Sequence, residues 1–398
     1  MSESISGKVA IIGVGITKFG ELFNKSYNDL VVDATFEAYE DSGINSEDIE
    51  AAWLGTYLPL GWGFDGTGGP SLAEALNLYP KPVSRVSNYC TTGMEAVRMA
   101  AMAVASGMHD VVLAVGAEKM REVPPRGSLV AQHIEKLHPM YSKGRTAPGS
   151  FAILATRYFE EYGATKEDLA EVAVKNHYHG SLNPRAHFRK EITKEQVLKA
   201  PPVTEPLGLY DCCPTTDGAA ALILCKAELA EKRFNKKDYI IIDGMGLSCA
   251  TGYITTAFNP KFKFTGFEAT QHASKQAYEQ AGIENTLEEI DVAEVHDCFT
   301  ITEILNYEDL GFVKKGEGPE FVKSGSSKLG GQLPVNTSGG LKSCGHPIGA
   351  TGARVLGDLS NQLLGRCGDR QVKNAKKALG HTLGGPGSVS SVFILSKN

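Results

Sequence analysis

Hydrophobic positions recur along the chain with two different periods, which predicts a mixed α/β protein. Residues 8–15 form a nearly continuous apolar run that ends in glycines, a pattern typical of a buried strand. From Tyr27 to Ser42 the apolar residues follow helical spacing, and Gly43 supplies a common stop signal. The run from Ile49 to Leu54 again predicts a strand. The chain therefore begins with a strand, a helix and a second strand.

A reactive side chain stands where the next strand gives way to a helix. A short β-type run over residues 83–86 leads to Cys90, and the small-residue segment from Thr91 to Ser106 reads as a buried helix that stops at Gly107. Backbone N–H groups and the helix dipole favour a thiolate at such a position, so we expect a lowered pKa for Cys90. Most buried cysteines only fill a core, so the case for a nucleophile depends on the rest of the chain.

An internal repeat organises the remaining sequence. The motif Ala-Tyr-Glu-x-x-Gly at residues 38–43 recurs at residues 277–282, and each copy is soon followed by a short strand. The strand at residues 9–15 also resembles residues 239–246, and both close with Gly-x-Gly. We do not interpret the first Gly-x-Gly as a dinucleotide site, because the third glycine of that motif is missing. Two α/β halves are predicted.

The same alignment places two chemically active residues opposite each other. Cys90-x-x-Gly93 in the first half matches His346-x-x-Gly349 in the second half. If the halves pack about a pseudo-twofold axis, both helix starts face one active site. We therefore expect Cys90 and His346 to act together.

Two further stretches carry reactive side chains at a strand end or in a glycine-rich turn. One contains His296 and Cys298, and the other joins His381 to the glycines of residues 384–387, whose N–H groups could bind an oxyanion. Taken singly, His296 and His381 would be interpreted as packed or surface histidines. Together with Cys90 they favour a catalytic interpretation.

The region between the halves is rich in His, Arg and Pro and predicts an inserted loop domain that covers one face. It contains His177-x-His179, which lacks carboxylate or thiol partners at metal-ligand spacing, so we interpret it as a solvated surface pair. The expected domains are residues 1–120 with 207–235 for the first half, 121–206 for the loop domain and 236–398 for the second half.

Composition narrows the class of protein. The chain has 398 residues, of which 42% are hydrophobic and 22% charged, with a formal net charge of −6. A mildly acidic balance gives no support to nucleic-acid binding or to a membrane surface held by charge. The N-terminus lacks the features of a signal peptide and no apolar run is long enough to span a bilayer, so we expect a cytoplasmic enzyme. Eight cysteines without any C-x-x-C indicate reduced thiols and no zinc site.

Taken together, these motifs resemble the thiolase family over nearly the whole chain. The resemblance is carried by Cys90 before a small-residue helix, the Asn-x-x-Gly-Gly and Gly-His-Pro-x-Gly motifs of residues 336–349, and the glycines of residues 384–387. His-Asp-Cys-Phe at residues 296–299 identifies the sterol-carrier-protein type. The implied fold is α/β: two similar halves, each with a five-stranded mixed sheet, in a duplicated five-layered αβαβα core with an inserted loop domain.

The resemblance also implies a reaction and the residues that perform it. Cys90 would attack the keto carbon of a 3-oxoacyl-CoA with His346 as its base, and coenzyme A would be a substrate. Cys298, a thiol with a pKa near the operating pH, would protonate the product enolate and then take the proton of the incoming coenzyme A. His346 and His296 would hold the enolate charge.

Further implied roles concern the backbone. The N–H groups of Cys90, Leu383 and Gly384 would stabilise tetrahedral intermediates. His381 is assigned a structural part. No metal ion is expected on this chain.

Substrate, partners and alternatives follow from the same resemblance. Acetoacetyl-CoA is the favoured substrate, and a bulky or aromatic substrate such as benzoylsuccinyl-CoA is the alternative, to which Arg121, Arg126 and Arg145 could be suited. Related alternatives are a ketoacyl synthase-like condensing enzyme, for which we expect no second thiol, and an inactive thiolase-like scaffold. A homodimer or larger homo-oligomer is expected, and a small zinc-ribbon and OB-fold subunit is a possible partner.

Overall fold

The computed structural model describes residues 4–59, 65–122, 146–250 and 262–398. Its strands are β1 (Val9–Ile16), β2 (Ala51–Gly55), β3 (Val83–Val86), β4 (Val111–Glu118), β5 (Pro202–Thr204), β6 (Leu207–Gly208), β7 (Gly218–Lys226), β8 (Ile240–Cys249), β9 (Val292–Glu294), β10 (Lys377–Gly384) and β11 (Val389–Lys397). Its helices are α1 (Tyr27–Ser42), α2 (Gly69–Leu76), α3 (Thr92–Ala105), α4 (Ala147–Tyr162), α5 (Lys166–Leu182), α6 (Lys194–Leu198), α7 (Ala227–Lys232), α8 (Glu268–Ala281), α9 (Thr286–Glu289), α10 (Thr300–Asp309), α11 (Gly318–Lys323), α12 (Gly340–Ser343) and α13 (Ile348–Leu363). Within these described ranges, no helix is long and apolar enough to cross a bilayer.

Nine strands form one mixed sheet in the order β3-β2-β4-β7-β1-β8-β11-β10-β9. The first five strands belong to the first half of the chain and the other four to the second half. A short antiparallel contact that pairs Ala10 with Ile241 joins the two halves. Beyond β9, a parallel bridge between Ala293 and Val335 takes the place of a fifth strand in the second half. Both halves therefore have the mixed sheet that the sequence predicts.

The two halves repeat the same packing of a helix on a strand. A side chain at Gly15 in β1 would come within 1.9 Å of the carbonyl oxygen of Ala34 in α1. A side chain at Gly246 in β8 would come within 2.0 Å of the carbonyl oxygen of Ala273 in α8. Both Gly-x-Gly pairs therefore allow close approach of a helix to the sheet, which confirms the repeat and explains these glycines without a bound phosphate.

Two central helices, α3 and α13, pack against each other between the halves of the sheet. A side chain at Gly93 would lie 2.4 Å from the carbonyl oxygen of Gly349, and one at Gly352 would lie 2.1 Å from the backbone nitrogen of Met94. Helix α13 contacts strands of both halves, including β4 and β10, while α1 and α8 cover the outer faces. This is the five-layered core that the sequence predicts, and it brings the N-termini of α3 and α13 together.

The described part of the inserted region, residues 146–206, is largely helical rather than a loop. Its helices α4 and α5 pack against α10 and α12 of the second half. The expected division of the chain at residues 120 and 206 stays a prediction.

The interpretation of His177 and His179 as a solvated surface pair is wrong. His177 is 5% exposed and His179 is fully buried in α5. Nε2 of His179 accepts a hydrogen bond from the N–H of Leu329 at 3.0 Å, so its Nδ1–H donates to the carbonyl oxygen of Asn336 at 3.0 Å. Burial lowers the pKa of His179 to about 3 and that of His177 to about 4, so both are neutral. His179 therefore holds α5 against the second half, whereas Nδ1 of His177 bonds to the carbonyl oxygen of Lys190 within the inserted region at 3.2 Å.

Candidate active site

Cys90 lies at the end of a tight turn that leads from β3 into α3. Tyr89 adopts the left-handed conformation with φ 48°. The hydroxyl of Thr91 donates to the carbonyl oxygen of Asn88 at 2.6 Å, and that of Thr92 donates to the carbonyl oxygen of Tyr89 at 2.5 Å. These bonds place the Cys90 thiol at the entry to the central helix layer, as the sequence predicts.

The structure brings Cys90 together with two histidines from the second half. The sulfur of Cys90, a ring nitrogen of His296 and a ring nitrogen of His346 all lie within 4.8 Å of one another. The two imidazole centroids are 5.2 Å apart with an angle of 82° between the rings. Cys298 adjoins this cluster, because it is two residues from His296 and its charge interacts with that of Cys90. Four predicted site residues therefore meet at one place.

The hydrogen bonds of His346 determine which of its nitrogens is a base. The hydroxyl of Thr351 donates its single proton to the carbonyl oxygen of Pro347 at 2.9 Å. It must therefore accept the bond that joins it to Nδ1 of His346 at 2.8 Å, so Nδ1 carries the proton. Nε2 of His346 is buried and has no hydrogen-bond partner among the residues that the structure describes. Its lone pair is free to accept the proton of Cys90.

The expected lowering of the Cys90 pKa is wrong. Burial raises the pKa of this thiol to about 12, and the nearby carboxyl of Glu118 adds to the rise. The backbone N–H of Gly385 donates toward the sulfur and acts in the opposite direction, but it does not offset burial. Cys90 is therefore a neutral thiol at rest, and it would have to lose its proton before it could act as a nucleophile.

The other titratable groups of the cluster are also uncharged. Burial lowers the pKa of His346 to about 3 and that of His296 well below its ordinary value, and each is near further positive charge. Burial raises the pKa of Cys298 well above its ordinary value, so the expectation of a pKa near the operating pH is wrong for the resting site. The sulfur of Cys298 lies 3.7 Å from the hydroxyl of Thr302. Cys298 thus rests as a proton donor.

His381 supports the site from behind, in keeping with the structural part expected of it. Its Nδ1 accepts the backbone N–H of His296 at 3.4 Å. Its Nε2–H is then the donor to the hydroxyl oxygens of Ser390 at 3.1 Å and Thr270 at 3.2 Å. Burial lowers its pKa to about 3, which keeps this tautomer neutral.

The glycine turn after β10 lies directly against the nucleophile. A side chain at Gly384 would lie 3.3 Å from the backbone nitrogen of Cys90. The neighbouring Gly385, one of the turn residues whose N–H groups were expected to bind an oxyanion, supplies the N–H that reaches the sulfur. The roles of Cys90, Leu383 and Gly384 as oxyanion donors stay predictions.

A strap formed by residues 212–216 links the two catalytic stretches and was missed by the sequence analysis. Cys212 forms an antiparallel bridge with Phe299, and Thr215 forms a parallel bridge with His346. The hydroxyl of Thr216 accepts the backbone N–H of His346 at 3.2 Å. The strap therefore fixes the separation of the Cys298 and His346 stretches. No motif in the strap indicates this, because its contacts come from the backbone.

Two buried carboxyl groups hold the starts of two helices in place near the cluster. Asp297 accepts from the N–H groups of Leu341 at 2.6 Å and Lys342 at 3.2 Å at the start of α12. Glu118 accepts the N–H of Gly349 at 2.8 Å at the start of α13. Burial raises the pKa of Asp297 to about 7 and that of Glu118 to about 8. Both positions complement the positive end of a helix, and neither was singled out from the sequence for this role.

An open groove of about 330 Å³ lies elsewhere in the described part of the chain. It lies along α8 and is lined by Tyr278 and Asp309. It contains neither a thiol nor an imidazole. The cluster around Cys90 is therefore the candidate reaction site.

Comparison with known proteins shows matches to both halves. The model "Thiolase, N-terminal domain" matches residues 9–228, and "Thiolase C-terminal domain-like" matches residues 252–397. The acetyl-CoA acetyltransferase of Methanothermobacter thermautotrophicus is 41% identical, covering 98% of this chain and 99% of the relative. Sterol carrier protein 2 of Bos taurus is 35% identical, covering 97% of this chain and 72% of the relative. The solved Ltp2-ChsH2(DUF35) aldolase superposes with a TM-score of 0.84 at 26% identity, covering 99% of each chain.

These matches extend over nearly all of the chain, and they agree with the duplicated core and with the cluster of Cys90, His296 and His346. They also include sterol carrier protein 2, whose type the His-Asp-Cys-Phe stretch indicates. The chain therefore belongs to the thiolase family and to its sterol-carrier-protein type.

Proposed function

We propose that this thiolase cleaves a 3-oxoacyl-CoA with coenzyme A, or runs the reverse Claisen condensation, through an acyl group carried on Cys90. The observation that carries the proposal is the meeting of the Cys90 sulfur with ring nitrogens of His296 and His346 within 4.8 Å. The second thiol, Cys298, adjoins this cluster. A nucleophile, a base with a free lone pair and a separate proton donor are the groups that thiolysis requires.

The first half of the proposed reaction breaks the C–C bond. The Cys90 sulfur attacks the keto carbon while its proton passes to Nε2 of His346. This nitrogen accepts no hydrogen bond from the residues that the structure describes. The protonated His346 and the neighbouring His296 then face the negative charge that develops on oxygen. Cleavage releases the enolate of a CoA thioester, and Cys298, a neutral thiol at rest, protonates its carbon.

The second half returns the groups to their starting states. The Cys298 thiolate takes the proton of the incoming coenzyme A, whose sulfur attacks the acyl group on Cys90. The departing Cys90 sulfur recovers its proton from His346. Two thiols are needed because one holds the acyl group while the other moves protons.

Acetoacetyl-CoA is the proposed substrate, because a relative at 41% identity carries the name acetyl-CoA acetyltransferase. The alternative of a bulky substrate such as benzoylsuccinyl-CoA relied in part on basic residues. Arg121 is engaged, since its guanidinium pairs with Glu21 and donates to the hydroxyl of Thr215 at 3.0 Å. Arg126 and Arg145 lie outside the described residues. Arg121 therefore adds nothing to the alternative.

The remaining alternatives differ in their use of Cys298. A ketoacyl synthase-like enzyme needs one cysteine and two histidines, which this site also has, but it needs no second thiol. The relative named an aldolase supports a further reading, in which a C–C bond breaks without an acyl-enzyme. A thiol placed against a free imidazole nitrogen favours acyl transfer over aldol cleavage and over an inactive scaffold.

Association with other subunits is also proposed. Met99, Met102 and Met108 expose apolar surface on and after α3, the helix that contacts the edge strand β3, which supports a homodimer or larger homo-oligomer. The name of the Ltp2-ChsH2(DUF35) relative supports a small partner of the DUF35 class. A cytoplasmic location stays a prediction.

Thiolysis of a panel of 3-oxoacyl-CoA esters by the purified chain tests the proposed function. The panel contains acetoacetyl-CoA, longer linear esters and an aromatic ester, with and without added coenzyme A. We expect cleavage that requires coenzyme A and is fastest with acetoacetyl-CoA. A 3-hydroxyacyl-CoA is assayed beside the panel, and its cleavage without coenzyme A to release an aldehyde or ketone would contradict the proposal in favour of the aldolase.

A further inference from the structure

Two thiols near the active site face each other across a short antiparallel contact. The bridge between Cys212 and Phe299 is antiparallel, and the N–H of Cys213 donates to the carbonyl oxygen of Cys298 at 2.9 Å. Cys212 (φ −106°, ψ 137°) and Phe299 (φ −134°, ψ 153°) both have extended backbones. One step along this pairing, Cys213 stands directly opposite Cys298.

The pairing places the two sulfurs in reach of each other. Directly opposed residues in antiparallel strands have Cα atoms about 5.5 Å apart and side chains on the same face. A disulfide requires a Cα separation of roughly 4.4 to 6.8 Å. Cys212, one residue earlier, points to the other face, where its sulfur lies 3.4 Å from the carbonyl oxygen of Gly208. Cys213 is therefore the strap thiol that can meet Cys298.

Electrostatics agrees with this placement. Burial is the largest cause of the raised pKa of Cys298. The charge of Cys213 is the second largest, and that of Cys90 is the third. Lys342 is 2% exposed, and its ammonium has no hydrogen-bond acceptor among the residues that the structure describes. Its charge favours the thiolate of Cys213 against the opposing effect of burial. Cys213 is also more exposed than Cys298, so an oxidant reaches it first.

We propose that Cys213 and Cys298 form an oxidative modification site, in which a peroxide converts the two thiols to a disulfide. The Cys213 thiolate attacks one peroxide oxygen and becomes a sulfenic acid, releasing hydroxide. The sulfur of Cys298 then attacks that sulfenic acid, forming the S–S bond and releasing water. In total, two thiols and one hydrogen peroxide give one disulfide and two waters.

The modification would act on one catalytic group and spare the other. The disulfide removes the proton that Cys298 supplies to the enolate, so turnover stops. Cys90 keeps a free thiol. This consequence rests on the proposed function, whereas the cross-link itself does not.

Treatment of the full-length chain with hydrogen peroxide tests the proposal. Peptide mapping after alkylation should join Cys213 to Cys298 in a species two hydrogens lighter than the two separate peptides. Iodoacetamide should still label Cys90. Thiolysis should be lost and should return on addition of dithiothreitol.

Matched variants separate the pair from other oxidation. Cys213→Ser should form no cross-link and should retain most of its own untreated activity after peroxide. Cys212→Ser, which changes the adjacent thiol on the other face, should cross-link and lose activity as the unmodified chain does. Exposed Cys249 reports that peroxide reached the protein, because it should oxidise in every sample.

Three outcomes would overturn the proposal. One is no Cys213–Cys298 cross-link when Cys249 is oxidised, and another is a cross-link that maps to Cys90 and Cys298. The third is reversible loss of activity by Cys213→Ser at the rate of the unmodified chain. If no thiolysis is found with any substrate, the proposed function fails while the mass measurement still decides the disulfide.

Discussion

The hydroxyl oxygen of Thr351 lies 2.8 Å from Nδ1 of His346 and accepts a hydrogen bond from its N–H. The hydroxyl proton lies toward the carbonyl oxygen of Pro347, so the opposite tautomer of His346 would require the hydroxyl to give up that bond and donate to Nδ1 instead. One threonine, five residues after the histidine, therefore determines that Nε2 faces Cys90 as a base. General-base catalysis depends on this choice of nitrogen.

Replacing Thr351 by valine should lower kcat by roughly 10- to 100-fold, because the tautomer of His346 is no longer fixed. KM should change little, since Thr351 does not face the substrate. Thr351→Ser keeps the hydroxyl and should restore most of the rate. Equal losses in both variants would show that the methyl packing, and not the hydrogen bond, is what matters.

The rate of alkylation of Cys90 should rise with pH, because the pKa of its thiol is high. Because burial raises that pKa to about 12, the thiolate fraction increases with pH throughout the ordinary range. The rate constant for iodoacetamide should rise about tenfold per pH unit between about pH 6 and 9. Mass spectrometry assigns the label, with Cys90→Ser as the blank. A plateau within that range would mean that the thiol is already ionised.

Gly352→Ala should destabilise the chain by about 1 to 3 kcal/mol, because the new methyl group would lie 2.1 Å from the backbone nitrogen of Met94. Forcing α3 and α13 apart should also separate Cys90 from His346 and reduce activity. Urea unfolding monitored by circular dichroism measures the first effect. Gly20→Ala is the control, since its nearest neighbour would be 3.9 Å away and its stability should be nearly unchanged.

Buried His177 should make the chain less stable in acid. Burial lowers its pKa from 6.5 to about 4, so between these values the unfolded chain binds a proton that the folded chain does not. Its contribution to stability is fully present above pH 6.5 and is lost as the pH falls toward 4. Between these pH values the unfolding free energy should rise by about 1.4 kcal/mol per pH unit because of His177, and His177→Gln should remove this contribution. Unfolding in urea at several pH values tests this, and parallel slopes for the two proteins would contradict it.

Zinc ions should inhibit the enzyme, because a thiol and two imidazoles within 4.8 Å are ligands that zinc prefers. Inhibition should be reversed by a chelator and should be weaker at low pH, where protons compete for the ligands. Loss of zinc sensitivity in His296→Asn would confirm the binding site. Inhibition that persists unchanged in that variant would place the zinc elsewhere.

Much of the fold could be predicted because it depends on local pattern. Gly43 follows the last residue of α1 and Gly282 follows the last residue of α8, and both glycines adopt the left-handed conformation, with φ 76° and 67°. The repeated sequence motif predicts both helix ends. The alignment of Cys90 with His346 correctly indicated that two helix starts meet. The inserted region was harder to predict, because its helices bury polar residues such as His179 that the sequence pattern marks as exposed.

The site residues could be predicted from their motifs, but their electrostatics could not. The effect of burial on a thiol depends on packing from both halves of the chain, and at Cys90 it outweighs the helix N-terminus. The contacts of Thr216 and Gly385 come from segments far apart in sequence and use backbone groups. Sequence pattern therefore indicates which residues lie together and leaves open how they are held.

The most direct test of the account is the identity of the residue that carries the acyl group. The protein is mixed with acetoacetyl-CoA, quenched in acid and digested, and the acylated peptide is identified by mass spectrometry. We predict an acetyl thioester on Cys90 and none in Cys90→Ser. An acetyl group found on another residue, or formed equally well by Cys90→Ser, would contradict the account.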